Sequence, residues 1–242
     1  MFRLLRWSAS FALAVCLLSS GAASAQSGSL EDFCLSKGGV WDAEEAACKA
    51  TTIIEMNVEY PVELAAQLPA IEYAVDEFVR EQREEILALG TDTLYPAGRV
   101  MNFYLDISSD VFYHSDTIAS LLLTVSNYTG GAHPNSFFKT MTFDLENGIQ
   151  LGFNQVFPPE NNPLAIIAPI AQAQLIEKLP DLEESWIRDG ASMDSANYRN
   201  FVLTEDSVIF YFDPYQVAPY VYGPQQVEIP LSELEAIMAP LG

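Results

Sequence analysis

The sequence contains only two histidines, His114 and His133, so imidazole chemistry has few places to occur. They do not form the His-x-x-x-His pattern that places two zinc ligands on one helix face. The chain also lacks a Gly-x-Ser-x-Gly elbow, a glycine-rich phosphate loop and an Asp-x-Asp-x-Asp-Gly calcium loop. Its 33 acidic residues offer many carboxylate pairs for glycoside hydrolysis, but no pair stands out. The sequence thus predicts no catalytic residue, metal ligand or cofactor, and it favours a binding protein over an enzyme.

His133 lies in residues 127–135 (NYTGGAHPN), where a strand is expected to end in a sharp turn. Gly130 and Gly131 tolerate positive φ, and Pro134 favours an extended backbone at His133. The imidazole could act as a ligand or general base, or it could bond to the backbone and fix the turn. Since no second catalytic partner is evident, the sequence favours the structural role. Gly130, Gly131, His133 and Pro134 are nevertheless candidate binding residues.

A second segment, residues 213–224 (DPYQVAPYVYGP), is rich in tyrosine and proline. Tyr215, Tyr220 and Tyr222 each combine a broad apolar ring with a polar tip, as binding surfaces often require. They could form such a surface or cover the end of a sheet. Loops carry function more often than strands do, which favours this loop as the site.

The charge balance limits the classes of partner that the protein can bind. Lys and Arg total 11 against 33 Asp and Glu, a net charge of −22, and a chain without Arg3 and Arg6 carries −24. Nucleic-acid binding through phosphates is excluded, because the cationic surface that supplies it is missing. Contact with an anionic lipid surface is disfavoured for the same reason. With 50% hydrophobic and 18% charged residues, the chain is expected to be globular.

Residues 1–25 have the layout of a cleaved secretory signal, with a basic start, an apolar run over residues 7–18, and Ala23 and Ala25 before the cleavage point. The run is shorter than the ~20 residues needed to span a bilayer, and no later segment is apolar enough to do so. We therefore expect a periplasmic or secreted protein. A lipoprotein attached through Cys16 is the alternative.

Cleavage would leave Cys34 and Cys48, an even number in an oxidising compartment, which predicts a disulfide. Thirteen residues separate them, and closing such a loop contributes about 3 kcal/mol in the loop-entropy model. A zinc site is disfavoured because no histidine is near. Residues 26–50 are therefore expected to form a small stapled motif with Trp41 packed on it.

The remaining residues, 51–242, predict one α+β domain with a mostly antiparallel sheet and helices packed on it. Apolar periodicity predicts a helix over 69–89 and another beginning near Asn162, which Pro169 kinks or delays. Alternation predicts strands over 53–62, 99–108, 111–114, 117–128 and 137–145. Asn147-Gly148 predicts a hairpin turn into 149–151. Further strands are expected over 201–203, 208–212 and 226–229, and a last helix over 231–238.

The two candidate segments together resemble the RsiV/PdaC-like family of extracytoplasmic bacterial domains. The resemblance covers residues 51–239 and is most specific over 127–231, where the Gly-Gly-Ala-His-Pro turn, the Phe-Asp-Leu-Glu-Asn-Gly turn and the Tyr-rich loop follow in order. Some members of this family are membrane-anchored anti-sigma factors that bind lysozyme, and others precede a polysaccharide deacetylase domain. This sequence shows neither the sigma-binding segment nor the deacetylase motifs.

The resemblance implies a recognition module of the cell envelope, related to peptidoglycan. Its loop 213–224, beside the turn at 130–135, would bind a cationic protein such as a lysozyme-like partner, or a cell-wall glycan. The alternative is a cell-wall hydrolase, or a deacetylase-associated protein, with an unrecognised site.

Overall fold

The structure is a computed structural model that describes residues 29–36, 39–49, 53–92 and 102–241 of the 242-residue chain. The predicted signal lies outside the described residues. The helices are α1 (Leu30–Ser36), α2 (Val62–Ala65), α3 (Pro69–Asp92), α4 (Phe153–Val156), α5 (Leu164–Lys178), α6 (Glu184–Gly190) and α7 (Leu231–Leu234). The strands are β1 (Val40–Asp42), β2 (Ala47–Lys49), β3 (Ile53–Val58), β4 (Asn102–Tyr113), β5 (Ile118–Tyr128), β6 (Asn135–Asp144), β7 (Ile149–Leu151), β8 (Phe201–Leu203), β9 (Ser207–Phe212) and β10 (Gln225–Pro230).

Residues 29–49 form the stapled motif. The antiparallel hairpin β1–β2 pairs Trp41 with Cys48, and the Cys34–Cys48 disulfide joins it to α1 across a Cα–Cα distance of 5.4 Å. Gly39 passes directly beneath the bridge, where a Cβ would lie 2.8 Å from the Cys34 sulfur. The predicted disulfide is confirmed, and glycine is required at this close approach.

The larger sheet has the order β3-β4-β5-β6-β7. β3 runs parallel to β4, and the other neighbours are antiparallel. The helix α3 covers one face, because its apolar stripe, including Ile71, Val75 and Val79, matches the inward residues of the strands, such as Leu105 and Leu121. The parallel pairing of β3 follows from the crossover through α3, which returns the chain in the same direction.

The smaller sheet has the order β10-β9-β8 and is antiparallel throughout. One of its faces packs on α5. On that face, Phe210 and Phe212 of β9 form an aromatic cluster with Tyr198. Tyr198 is fully buried, and its hydroxyl donates to the Ala191 carbonyl at 2.7 Å. Burial raises the pKa of this phenol above its usual range.

The opposite face of the smaller sheet packs on the larger sheet, with Leu122, Val202 and Tyr211 buried between them. The expected α+β class, with mainly antiparallel sheets and an N-terminal stapled motif, is confirmed.

Several details differ from expectation. The strand predicted over 53–62 ends at Val58, because Pro61 precedes the short helix α2. The helix predicted over 69–89 continues to Asp92, and the last helix, predicted over 231–238, ends at Leu234. The ladder between β4 and β5 is unbroken through Ser109, so β4 continues to Tyr113 as one strand. Pro169 lies inside α5 without delaying its start, and α6 was not predicted.

Candidate binding surface

The turn at residues 130–135 connects β5 to β6. Gly130 adopts a φ of 89°, which confirms the expected glycine requirement, whereas Gly131 has no positive φ. The Tyr128 hydroxyl donates to the Gly131 carbonyl at 2.9 Å and closes the turn. The turn is exposed to solvent. Its backbone is held by this local bond and by contacts with the Tyr-rich loop.

His133 joins the two segments that the sequence singled out. Its ring stacks on Tyr220 at a centroid distance of 3.9 Å and an angle of 23°. His133 Nδ1 lies 2.8 Å from the Pro134 carbonyl oxygen, so this nitrogen carries the proton and donates it. The Tyr220 hydroxyl donates to the same carbonyl at 2.7 Å. The backbone-bonded arrangement that the sequence favoured for His133 is therefore present.

Tyr215 extends this stack. Its ring lies 5.7 Å from Tyr220, and 55% of its surface is exposed. Its φ of 70° lies in the left-handed region, which is unfavourable for a bulky residue. Such strain persists only where the surroundings fix the backbone, and it is commonest at functional sites.

Trp186, on α6, completes the surface, and sequence reasoning missed it. Its indole N–H donates to the Tyr215 carbonyl at 3.3 Å, and 38% of its surface is exposed. One feature of the sequence could have indicated it: a tryptophan in the polar segment ESWIRDG, whose only buried residue is Ile187. We call His133, Trp186, Tyr215 and Tyr220 the aromatic platform.

The Tyr-rich loop is fixed to the body of the domain by two polar side chains. The Gln216 amide nitrogen donates to the Gly190 carbonyl at 3.1 Å and to the Asn197 carbonyl at 2.9 Å. The Asp213 carboxylate accepts the Phe138 N–H from β6 at 2.8 Å. These bonds connect the loop to both sheets and to the end of α6.

Tyr222 flanks the platform. It lies in a single 3₁₀ turn, Tyr220–Tyr222, where Val221 is 85% exposed and Tyr222 is 39% exposed. The Tyr222 carbonyl accepts the Gln225 side-chain amide at 2.7 Å, which fixes the end of the turn. This arrangement adds exposed apolar surface beside the platform.

Acidic side chains are exposed on α6, the helix that carries Trp186, and in the segment after it. Glu184, Asp189 and Asp194 are all exposed. The nearby Arg188 is paired with Glu184 at 2.7 Å, so it offsets only one of these charges. Arg199, whose side chain is 65% exposed, pairs with Asp213 of the Tyr-rich loop at 3.0 Å. Exposed acidic side chains thus outnumber basic ones in the segment that carries Trp186.

The remaining histidine lies elsewhere. His114 Nδ1 is 2.7 Å from the Thr204 carbonyl, where β4 meets the smaller sheet. Both imidazole rings thus bond to backbone carbonyls. Within residues 29–36, 39–49, 53–92 and 102–241, no three His, Cys, Asp or Glu side chains come together to hold a metal ion. No helix among those residues is long and apolar enough to cross a bilayer.

These features define an acidic α+β module that exposes an aromatic loop at one end of two packed sheets. Residues 154–232 match a family model described as "Protein of unknown function (DUF3298)". That match covers α5, α6, the smaller sheet and the whole Tyr-rich loop.

Three relatives share longer segments. The chain is 25% identical to the immunogenic protein MPT64 of Mycobacterium tuberculosis over 169 residues, which is 69% of this chain and 72% of that protein. It is 32% identical to the esterase Rv3036c of the same organism over 115 residues, 48% of this chain and 50% of that protein. It is 26% identical to the peptidoglycan-N-acetylmuramic acid deacetylase PdaC of Bacillus subtilis over 136 residues, 55% of this chain and 29% of that protein.

Two solved structures are similar in chain trace. A DUF3298 family protein of Bacteroides fragilis aligns at a TM-score of 0.49 and 20% identity, covering 76% of this chain and 71% of that one. A DUF3298 family protein of Pseudomonas aeruginosa aligns at 0.48 and 21%, covering 80% and 86%.

Proposed function

We propose that this protein is an exported recognition module of the cell envelope, and that its aromatic platform binds a cationic protein, with lysozyme-like proteins as first candidates. The observation that carries the proposal is the stack of the exposed His133 and Tyr215 on the half-buried Tyr220, with Trp186 beside it. Exposed aromatic clusters of this kind are unusual on a solvated surface, and they supply most of the energy in many protein interfaces.

The electrostatics support a basic partner. An apolar centre with a charged rim is the usual anatomy of an interface. Exposed acidic side chains outnumber basic ones on and after α6, and the whole chain carries a net charge of −22. Such a field raises the association rate of a positive partner, while the aromatic contacts would supply the affinity and specificity.

The fixed geometry of the loop also supports binding. Gln216 and Asp213 hold its backbone, so little freedom remains to be lost when a partner docks. A tyrosine held at positive φ fits the same interpretation, because the strain orients an exposed ring that packs on few neighbours.

The envelope location rests on other features. A signal-like leader and a disulfide-stapled motif are typical of exported proteins. One relative bears the name of a peptidoglycan deacetylase, and the segment shared with it covers about half of this chain. A wall-associated recognition role would be compatible with that relationship.

Titration calorimetry against lysozyme at physiological salt tests the proposal. Tyr215→Ala and Tyr220→Ala should each weaken binding by more than ~1 kcal/mol, as expected at the centre of an interface. Tyr73→Ala is the matched control, because Tyr73 is a 71% exposed tyrosine on α3. Absence of binding to the wild-type protein, or equal loss in all three variants, would overturn the proposal.

A hydrolase is the second candidate, because a relative with 32% identity is an esterase. His133 is the exposed imidazole that such chemistry would require. The test is hydrolysis of a chromogenic acetyl ester and release of acetate from peptidoglycan by the purified protein. Activity that His133→Ala abolishes would establish a hydrolase, and inactivity would leave the binding function.

A further inference from the structure

Among the residues that the structure describes, only half of one face of the larger sheet is covered by other elements. At the covered end, β8 crosses β5 and β6 and is held by hydroxyl groups. Ser120 Oγ accepts the Leu203 N–H at 3.0 Å, and Thr140 Oγ1 accepts the Phe201 N–H at 2.9 Å. On this face, therefore, serine and threonine side chains hold an extended chain by alternate backbone amides.

Toward the other end of β5, no described element packs on the same face. Side chains two residues apart share a face, so Thr124 and Ser126 follow Ser120 and Leu122. They lie opposite Ser108 and Asp106 of β4. The result is an open groove of about 650 Å³. The lining residues that matter here are Asn57, Glu59, Asp106, Ser108, Thr124 and Ser126.

The polar groups of this groove differ from those under β8 in having few partners. Asp106 accepts one bond, from the Asn57 amide at 2.8 Å. Within the described part of the chain, the hydroxyls of Ser108, Thr124 and Ser126 have no hydrogen-bond partner in the protein. The uncovered half thus repeats the chemistry of the covered half without an occupant.

The acidic charge of the groove indicates that its occupant carries positive charge. Asp106 and Glu59 line it, and Glu55 lies beside it on the neighbouring strand. None of its lining residues is a lysine or arginine. An extended segment with basic side chains would satisfy the free hydroxyls through its N–H groups and the carboxylates through its cations.

We propose that this groove binds an extended basic peptide segment of a partner protein. The inference rests on the proposed function, since it supplies a second contact for a cationic partner. The groove leads to the platform through the Tyr104–Tyr128 ring pair, whose centroids are 6.2 Å apart, because Tyr128 also closes the turn that carries His133. One partner could therefore occupy both surfaces.

The experiment uses a fluorescent peptide of alternating lysine and threonine, with anisotropy measured at physiological salt. Asp106→Asn combined with Glu59→Gln should weaken binding about tenfold, equivalent to about 1.4 kcal/mol. The amide that replaces the Asp106 carboxylate would keep an oxygen for Asn57, so the strands should stay intact. Thr124→Val combined with Ser126→Ala should also weaken binding, although the charge is unchanged.

The matched control is Asp76→Asn combined with Glu85→Gln, which removes two exposed charges from α3. Equal weakening in this control would mean that only the net charge matters, and would overturn the groove. Binding of a glucosamine oligomer that depends on Asp106, without binding of the peptide, would also overturn it and indicate an amino-sugar site.

Failure of the groove and failure of the platform are distinguishable. If lysozyme binding responds to Tyr215→Ala but not to the Asp106 and Glu59 changes, and the peptide does not bind, the groove proposal is wrong and the proposed function stands. If the peptide binds as expected but lysozyme does not bind at all, the platform has failed and the groove stands.

Discussion

The stapled motif and the Tyr-rich loop hold their shapes by different means. The motif is closed by one covalent bond between Cys34 and Cys48, and most of its surface is exposed. The loop has no covalent link, but Asp213 and Gln216 tie it to strands and helices far away in the sequence. The motif is a local unit, whereas the shape of the loop depends on the packing of the whole C-terminal half.

This difference determines how far the structural effect of a substitution extends. A change under the loop should reach the domain core and the platform together, because they share the same contacts. A change in the motif should remain in the motif. The predictions below test that separation, beginning with the largest expected effect.

Gly190→Ala should give the largest effect on the domain. A Cβ at this position would press on the backbone carbonyl group of Gln216 and lie 3.1 Å from the Val217 Cα. Because backbone atoms cannot swing aside, we expect about 3 kcal/mol of destabilisation and loss of partner binding. Urea unfolding and calorimetry would measure both. Gly131→Ala is the control, since its Cβ would lie 3.8 Å from the nearest atom, and it should leave stability within about 0.5 kcal/mol of wild type.

Cys34→Ser combined with Cys48→Ser should open the motif alone. Removing the bridge costs about 3 kcal/mol of loop-closure entropy, which a unit with so little buried surface cannot replace. Limited proteolysis should then cut within residues 29–49 while the unfolding midpoint of the remaining domain stays unchanged. A lower midpoint for the whole protein would show that the two regions are coupled.

The same contrast explains what the sequence could predict. The helix α3 and the β6–β7 turn were predictable because their signals are local: an apolar stripe ending near Gly90, and Asn147-Gly148, where Gly148 adopts a φ of 68°. The disulfide followed from the cysteine count. The placement of the loop beside the turn at 130–135 was expected from the family resemblance, and the His133–Tyr220 contact confirms it.

What escaped prediction depends on long-range contacts. α6 has only one buried residue, Ile187, so its periodicity is weak, and Trp186 meets Tyr215 across 29 positions of sequence. The open groove on the larger sheet could not be predicted either. Alternation of apolar and polar residues shows which side chains face outward, but not what covers them. The binding role of the candidate residues remains a prediction.

Asp213→Asn and Asp213→Ala separate the effect of a half-buried hydrogen bond from that of a surface charge. The asparagine side chain would keep an acceptor for the Phe138 N–H and lose the ion pair with Arg199, whose side chain is 65% exposed. We expect the asparagine variant to lose less than about 1 kcal/mol and the alanine variant about 1–2 kcal/mol, because only alanine leaves the N–H unpaired. Equal losses in urea unfolding would show that the charge, not the acceptor, holds the loop.

The two regions should also respond to opposite extremes of pH. In the motif, the hydrogen bond from Lys49 holds the pKa of Asp42 below its usual value. A depressed carboxyl pKa stabilises the folded form above the unfolded pKa, and this stabilisation is lost as pH falls through the folded pKa. The protection of the β1 and β2 amides against hydrogen exchange, relative to their intrinsic rates, should therefore fall in acid below about pH 4. Asp42→Asn should reduce that response, while Asp32, whose pKa the hydrogen bonds from Ser29 lower, retains the rest. An unchanged acid response in the variant would contradict this prediction.

In the smaller sheet the expected loss lies at alkaline pH. Burial, with lesser contributions from Asp110 and Glu228, raises the pKa of Tyr211 to about 12. An unfolded tyrosine ionises near pH 10, so above that pH the unfolded chain releases a proton that the folded chain retains. The native state then binds more protons, and stability falls as pH rises from about 10 through the folded pKa.

Tyr211→Phe preserves the packing against Phe138, whose ring lies 5.0 Å away, and removes the ionisable group. The variant should lose less stability than wild type between neutral and strongly alkaline pH when both are unfolded in urea. The effect should be modest, because the buried Tyr198 still contributes in the same direction. A wild-type alkaline loss that Tyr211→Phe leaves unaltered would show that this phenol does not ionise on unfolding in the expected window.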